Sequence, residues 1–159
     1  FYPRWRRDLY YDLVDRLDAV AGSHGLERVK IQGDSYFAAC GLNELLIDHA
    51  PRAAAFASTA VEAVRSMGDD TDTPLTARAG VASGSLATGL VGSTGLVFDS
   101  WGDPVDEAFE LAHAAAADRV LVGPSARVRI PASVHLVEVA LLTGQAWEYS
   151  PPSESGVRP

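Results

Sequence analysis

Cysteine, methionine, lysine and asparagine are the scarcest residues of this sequence, with one of each in 159 residues. The single cysteine, Cys40, closes no internal disulfide. That excludes a disulfide-stapled scaffold and makes a reducing compartment the simplest expectation. Cys40 sits in the apolar run YFAAC, where a thiol reads as a buried small hydrophobe rather than a reactive group. Long apolar runs are missing too. None approaches the ~18 residues that a membrane span needs, and no signal peptide is legible. The expected setting is cytoplasmic, either as a soluble domain or as the cytosolic part of a larger membrane or multidomain protein. Positive charge is short: 13 basic residues stand against 21 acidic ones, giving a net charge of −8 and a pI near 4.8. Nucleic acid and direct contact with an anionic membrane are excluded, because both need a basic patch.

What is present is the composition of an ordinary globular domain. Apolar residues make up 47% and charged ones 21%, in a length that suits one core. Residues 1–150 are expected to form that domain, and 151–159 (PPSESGVRP) a polar, frayed tail. Leu9, Leu13, Leu17 and Val20 recur at helical spacing with Tyr10 beside them, which predicts a helix from Trp5 to Val20 that stops at Gly25. ERVKIQG and DSYFAACGL read as two strands joined by a turn at Gly33-Asp34. A second helix follows from about Ile47 to Met67, with Pro51 in its first turn. LTARAGVAS, SLATGLVG and LVFDSW read as strands, the latter two joined at STG. Asp103 and Pro104 are expected as N-cap and first residue of a helix that reaches about Ala117. RVLVG, a short turn of helix at PSARVRI, and a hairpin of VHLVEVALL with QAWEYS complete the order. This alternation predicts an α/β domain in which helices cover a mixed, mostly antiparallel sheet. Folds of this kind usually start on a central strand, yet here the first element is a helix.

Two stretches carry candidate chemistry. In VKIQGDSYF, strand alternation puts Lys30, Gln32 and Asp34 on one side and Val29 and Ile31 on the other. Asp34 follows a glycine in a tight turn, where a carboxylate either shapes the turn or offers one ligand to a divalent ion. One carboxylate is not a site, since magnesium is completed by substrate phosphates and water. In FDSWGDPVDEAFELA, Asp99, Asp103, Asp106, Glu107 and Glu110 fall within twelve residues, with no Lys or Arg before Arg119. Helical spacing places Asp106, Glu110 and His113 on one face, and Val105, Ala108, Phe109 and Ala112 on the buried one. The acidic face is read as solvated or interface-facing, with a new metal set as the lesser alternative. Trp101 is expected to pack at the strand end, and His24, His49 and His135 show no partner pattern in the sequence.

RVKIQGDSYFAACGL, ARAGVASGSLATGLVG and FDSWGDPVDEAFELA together resemble the class III nucleotidyl cyclases, the catalytic domains of adenylate and guanylate cyclases. The family carries a K-x-x-G-D-x-Y/F hairpin, a glycine-rich segment and a D-x-W-G-D junction. All three stand here in order, and the likeness runs from about Tyr10 to Tyr149. It implies a ferredoxin-like core and head-to-tail dimers, homodimeric or with another cyclase domain, whose sites are shared between subunits. It also implies a two-ion site for Mg2+ or Mn2+, in which Asp34 matches the second metal aspartate. The first belongs to an opening strand roughly forty residues before Asp34, ahead of residue 1; without such a strand the sheet would be split. Lys30 and Asp99 match the pair that reads adenine, which implies ATP as the nucleotide. Two positions depart from the pattern: the family's ribose-orienting Asn is Asp106, and its transition-state Arg is Glu110. The family's late phosphate-binding lysine is missing, and the spacing does not assign Arg127 or Arg129 to replace it. The expectation is an adenylate cyclase-type domain, making cyclic AMP and pyrophosphate from ATP, with weak or absent activity. The alternatives are an inactive nucleotide-binding or dimerising regulatory module, and a half-site partner for a complete cyclase chain.

Overall fold

The computed structural model describes residues 4–91 and 97–152, with the backbone alone over most of 88–101. The element order is α1 (Arg4–Ser23), β1 (Glu27–Gln32), β2 (Ser35–Ala39), α2 (His49–Asp70), β3 (Ala79–Val81), β4 (Ala87–Val91), β5 (Val97–Trp101), α3 (Asp103–Ala114), β6 (Val120–Val122), α4 (Pro124–Arg127), β7 (Leu136–Leu141) and β8 (Gly144–Tyr149). The STG turn and residues 153–159 of the tail lie outside the described residues.

Among the described residues the strands form three separate sheets: β1-β2, β4-β5, and β3-β6-β8-β7. Only β3 and β6 pair in parallel; the other pairs are antiparallel. The third sheet carries the main core. Val81, Val120 and Val122 pack against Ala50, Ala54, Ala57 and Val61 of α2, where small side chains let the helix lie close. Burying a valine of this kind stabilises by about 1.5–3 kcal/mol. A smaller cluster of Ala21, Leu26 and Phe56 joins α1 to α2.

Side-chain direction sorts the helices onto the two faces. Tyr36 of β2 meets Phe56 of α2, and its hydroxyl donates to Asp18 of α1 at 2.7 Å. The next residue, Phe37, points the other way and meets Phe109 of α3 at 5.9 Å between ring centroids. Helices α1 and α2 therefore cover one face and α3 the other. Gly80 sets the closeness of α3 to β3: a Cβ there would lie 2.1 Å from the Ala108 carbonyl oxygen. Between β2 and β3, neither of which has a described partner on its second edge, runs a groove of about 530 Å3. Its walls include Leu13, Phe56, Val61, Tyr36, Ala79 and Phe109.

Two expectations need correction. The N-cap of α3 is Gly102, with φ of 135°, and Asp103 is the first helical residue. A left-handed φ suits glycine, so the cap falls one residue earlier than the Asp-Pro pair suggested. The helix ends at Ala114 rather than Ala117, because the chain must turn back through Asp118, whose φ is 60°, to enter β6. On α3, Val105 and Leu111 are buried, whereas Ala108, Phe109 and Ala112 are half-buried and line the groove.

Candidate functional site

The β1-β2 hairpin positions the first two candidates. Lys30 is half-buried in β1 and registers opposite Phe37. Directly opposed residues share a face, so Lys30 lies on the α3 side of the hairpin. The register shifts between Arg28 and Lys30, and from Lys30 to Gln32 it runs regularly against Phe37 to Ser35. Gly33, at φ of 60°, makes the turn, and Asp34 follows it, exposed. Asp34 and His113 both border the groove between β2 and β3.

Asp99 sits in the middle of β5 with its backbone opposite Gly89 of β4. Strand β5 passes beside β1 and α3. The side chains of Asp99 and Trp101 lie outside the described residues, and so does the expected packing of Trp101. Asp106 and Glu110 are exposed and share the outward face of α3 with His113. The His113 ring bonds the Phe109 carbonyl at 2.7 Å. The Phe37–Phe109 contact therefore holds the Lys30 face of the hairpin against the helix that carries both acids. Arg127 lies over the Trp147 ring at 5.8 Å, and Arg129 donates to the Ser125 carbonyl at 3.1 Å.

No group of three or more His, Cys, Asp or Glu side chains among the described residues could hold a metal. Asp34 is a single carboxylate, too small a donor set to hold an ion by itself.

Burial raises the Cys40 thiol pKa, against the pull of Arg52, so the thiol stays protonated; it donates to the His49 carbonyl at 3.4 Å. Burial also raises the Tyr36 hydroxyl, reinforced by its bond to the Asp18 carboxylate. Both fasten the helices α1 and α2 to the hairpin.

One cluster escaped the sequence reading. The Ser125 hydroxyl donates to Glu107 at 2.6 Å and accepts from the Ser83 amide at 3.0 Å. The Ser83 hydroxyl pairs with Nε2 of His49, whose Nδ1 lies 2.7 Å from the Leu46 carbonyl. His49 thus has partners after all, as does His24, which bonds the Val20 carbonyl and lies against Phe56. The four residues converge from widely separated positions, so no local spacing marks them.

Residues 5–138 match the family described as the adenylate and guanylate cyclase catalytic domain. The chain belongs to this family, and the mixed α/β architecture is that of a class III cyclase catalytic domain. An adenylate cyclase of Mycobacterium tuberculosis is 34% identical over 96 residues, 60% of this chain and 22% of that protein. Adenylyl cyclase X E of Drosophila melanogaster is 32% identical over 92 residues, 58% of this chain and 8% of that protein. The chain thus spans only a small part of these relatives. Among solved structures, the catalytic core of a rhodopsin-guanylyl cyclase with converted specificity, in complex with ATPalphaS, superposes with a TM-score of 0.82 at 25% identity, covering 89% of this chain and 80% of that one. The adenylyl cyclase CyaB from P. aeruginosa superposes at 0.85, covering 97% of this chain and 86% of that one; at 16% identity it shows the fold alone.

Proposed function

We propose that this domain is an adenylate cyclase-type module that holds ATP and cyclises it weakly or not at all. The observation that carries the reading is the pair of acids, Asp106 and Glu110, on one exposed face of α3. In the family these positions orient the ribose and neutralise charge that develops on the phosphates. A carboxylate at the second position repels that charge. At about 4 Å and an effective dielectric near 20, a unit-charge pair is worth ~4 kcal/mol. Replacing attraction by repulsion therefore costs at least a thousandfold in rate, at ~1.4 kcal/mol per tenfold.

Adenine selectivity rests on Lys30 and Asp99: a lysine donates to a ring nitrogen, and an aspartate accepts from the exocyclic amine. Guanine offers a carbonyl where adenine has that amine, so the aspartate disfavours it. Asp34 is assigned as one ligand to a divalent ion brought in on the ATP phosphates, with Mg2+ or Mn2+ as the ion. Because the site is assigned to a subunit interface, a homodimer or a pair with another cyclase domain would complete it. Leu45 and Ile47, 94% and 92% exposed ahead of α2, favour an interface role for the domain.

Titration with ATP and with GTP in the presence of Mn2+, followed by calorimetry, tests the binding half of this reading. ATP binding at least tenfold tighter than GTP, with the preference lost in Lys30→Ala, is expected. Equal affinities would remove the adenine assignment, and no binding of either nucleotide would leave a dimerising module as the function.

A further inference from the structure

We propose that Glu107, Ser125, Ser83 and His49 form a positioning relay that couples the start of α2 to the rotation of α3, and hence to the direction of Asp106 and Glu110. The relay crosses four segments. Glu107 is on α3, Ser125 in the first turn of α4, Ser83 on the connection after β3, and His49 is the first residue of α2. None of them is assigned above to nucleotide contact.

The Leu46 carbonyl can only accept, so His49 Nδ1–H donates to it, and Nε2 pairs with the Ser83 hydroxyl. The Ser83 amide donates to the Ser125 hydroxyl oxygen at 3.0 Å, and the Ser125 hydroxyl donates to Glu107 Oε2 at 2.6 Å. The Ser125 amide lies 3.4 Å from Glu107 Oε1. Ser83 is buried at 6% exposure, so a broken link there leaves a polar group without water.

Packing explains why the relay acts on rotation. Gly80 brings β3 against the α3 backbone at Ala108 and Ala112, which fixes the distance of the helix from the sheet. A close backbone contact alone does not fix a helix about its own axis. Glu107 adds a polar hold to the packing of Val105, Phe109 and Leu111: Asp106 and Glu110 both lie to one side of it, about 100° and about 60° around the helix. The cradle for its carboxylate is shaped by Gly123, where a Cβ would fall 2.1 Å from Glu107 Oε1. Turning α3 to re-aim Asp106 and Glu110 would pull Glu107 off Ser125.

Amide hydrogen exchange across the chain tests the coupling without any nucleotide. In Glu107→Gln, exchange is expected to speed up at the Ser125 amide and also at the Arg52 and Ala53 amides in the first turn of α2. Ser125→Ala should do the same, and Ser125→Thr, which keeps the hydroxyl, should restore protection in α2. Faster exchange confined to α3 and α4, with α2 unchanged, overturns the relay; so does a uniform increase at all amides, which reports lost stability alone. The link to nucleotide rests on the reading of α3 above. If ATP binds, Ser125→Ala weakens it by about two- to thirty-fold and Ser125→Thr recovers it. If wild-type protein binds no ATP while α2 still responds to Glu107→Gln, the nucleotide reading fails and the relay stands. ATP affinity unchanged in Ser125→Ala while α2 loosens would show that α3's outward face is not what the relay positions.

Discussion

Asp18 shows how a single residue can serve two elements at once. Its carboxylate accepts from the Tyr36 hydroxyl at 2.7 Å and lies 3.3 Å from Arg28, tying α1 to both strands of the hairpin that carries Lys30 and Asp34. Burial first, and the hydrogen bond second, raise the Tyr36 pKa above its ordinary value of about 10. A folded-state pKa above the unfolded one gives stability that is complete below about pH 10 and is lost as pH rises further, because the unfolded chain ionises first. Denaturant melts of wild type should therefore show stability falling above about pH 10. Tyr36→Phe should show a shallower fall, after a loss of about 1 kcal/mol at neutral pH from the missing hydrogen bond. Tyr149, also raised by burial, keeps the fall from vanishing. Identical slopes for the two proteins would contradict the assignment.

The element on which the proposed function turns is α3, whose placement depends on residues with little or no side chain. At Gly80 a methyl would sit 2.1 Å from the Ala108 oxygen and 2.6 Å from the Ala112 nitrogen, both backbone atoms that cannot swing aside. Gly80→Ala is expected to destabilise by about 1–3 kcal/mol, lowering Tm by roughly 3–10 °C for a domain of this size. Gly22→Ala, in α1 with nothing within 4 Å of the added methyl, should instead be neutral or stabilising by up to about 1 kcal/mol. Equal effects would mean that close approach is not what Gly80 provides. Most elements were legible, because apolar periodicity and turn glycines act locally: Gly25 and Gly33, both at positive φ, end α1 and turn the hairpin as read. The α3 boundaries were less so. Asp103-Pro104 has the chemistry of a cap, but the chain geometry at Gly102 took that role. The His49–Ser83–Ser125–Glu107 chain was not legible at all, since its members meet only through packing of α2, α3 and the β3 connection.

At the scale of the whole molecule, the charge argues against a nucleic-acid partner. Among the described residues no helix is long and apolar enough to cross a membrane, and the net charge is −8. Among the described residues the strands stand in three sheets, with the groove between β2 and β3. Motif order and spacing made the family readable, because the lysine-bearing hairpin, the glycine-rich segment and the strand-to-helix junction stand in one order over most of the chain. What they left open is the consequence of Asp106 and Glu110, a matter of field rather than of fold.

Cyclic AMP formation from ATP and Mn2+ by purified wild type, set beside Asp106→Asn plus Glu110→Arg, tests that consequence most directly. The double variant should turn over at least a thousandfold faster than a wild type that sits near background. Wild-type turnover equal to or above that of the double variant would contradict it, for then an acid on α3 does not oppose the charge that the reaction develops.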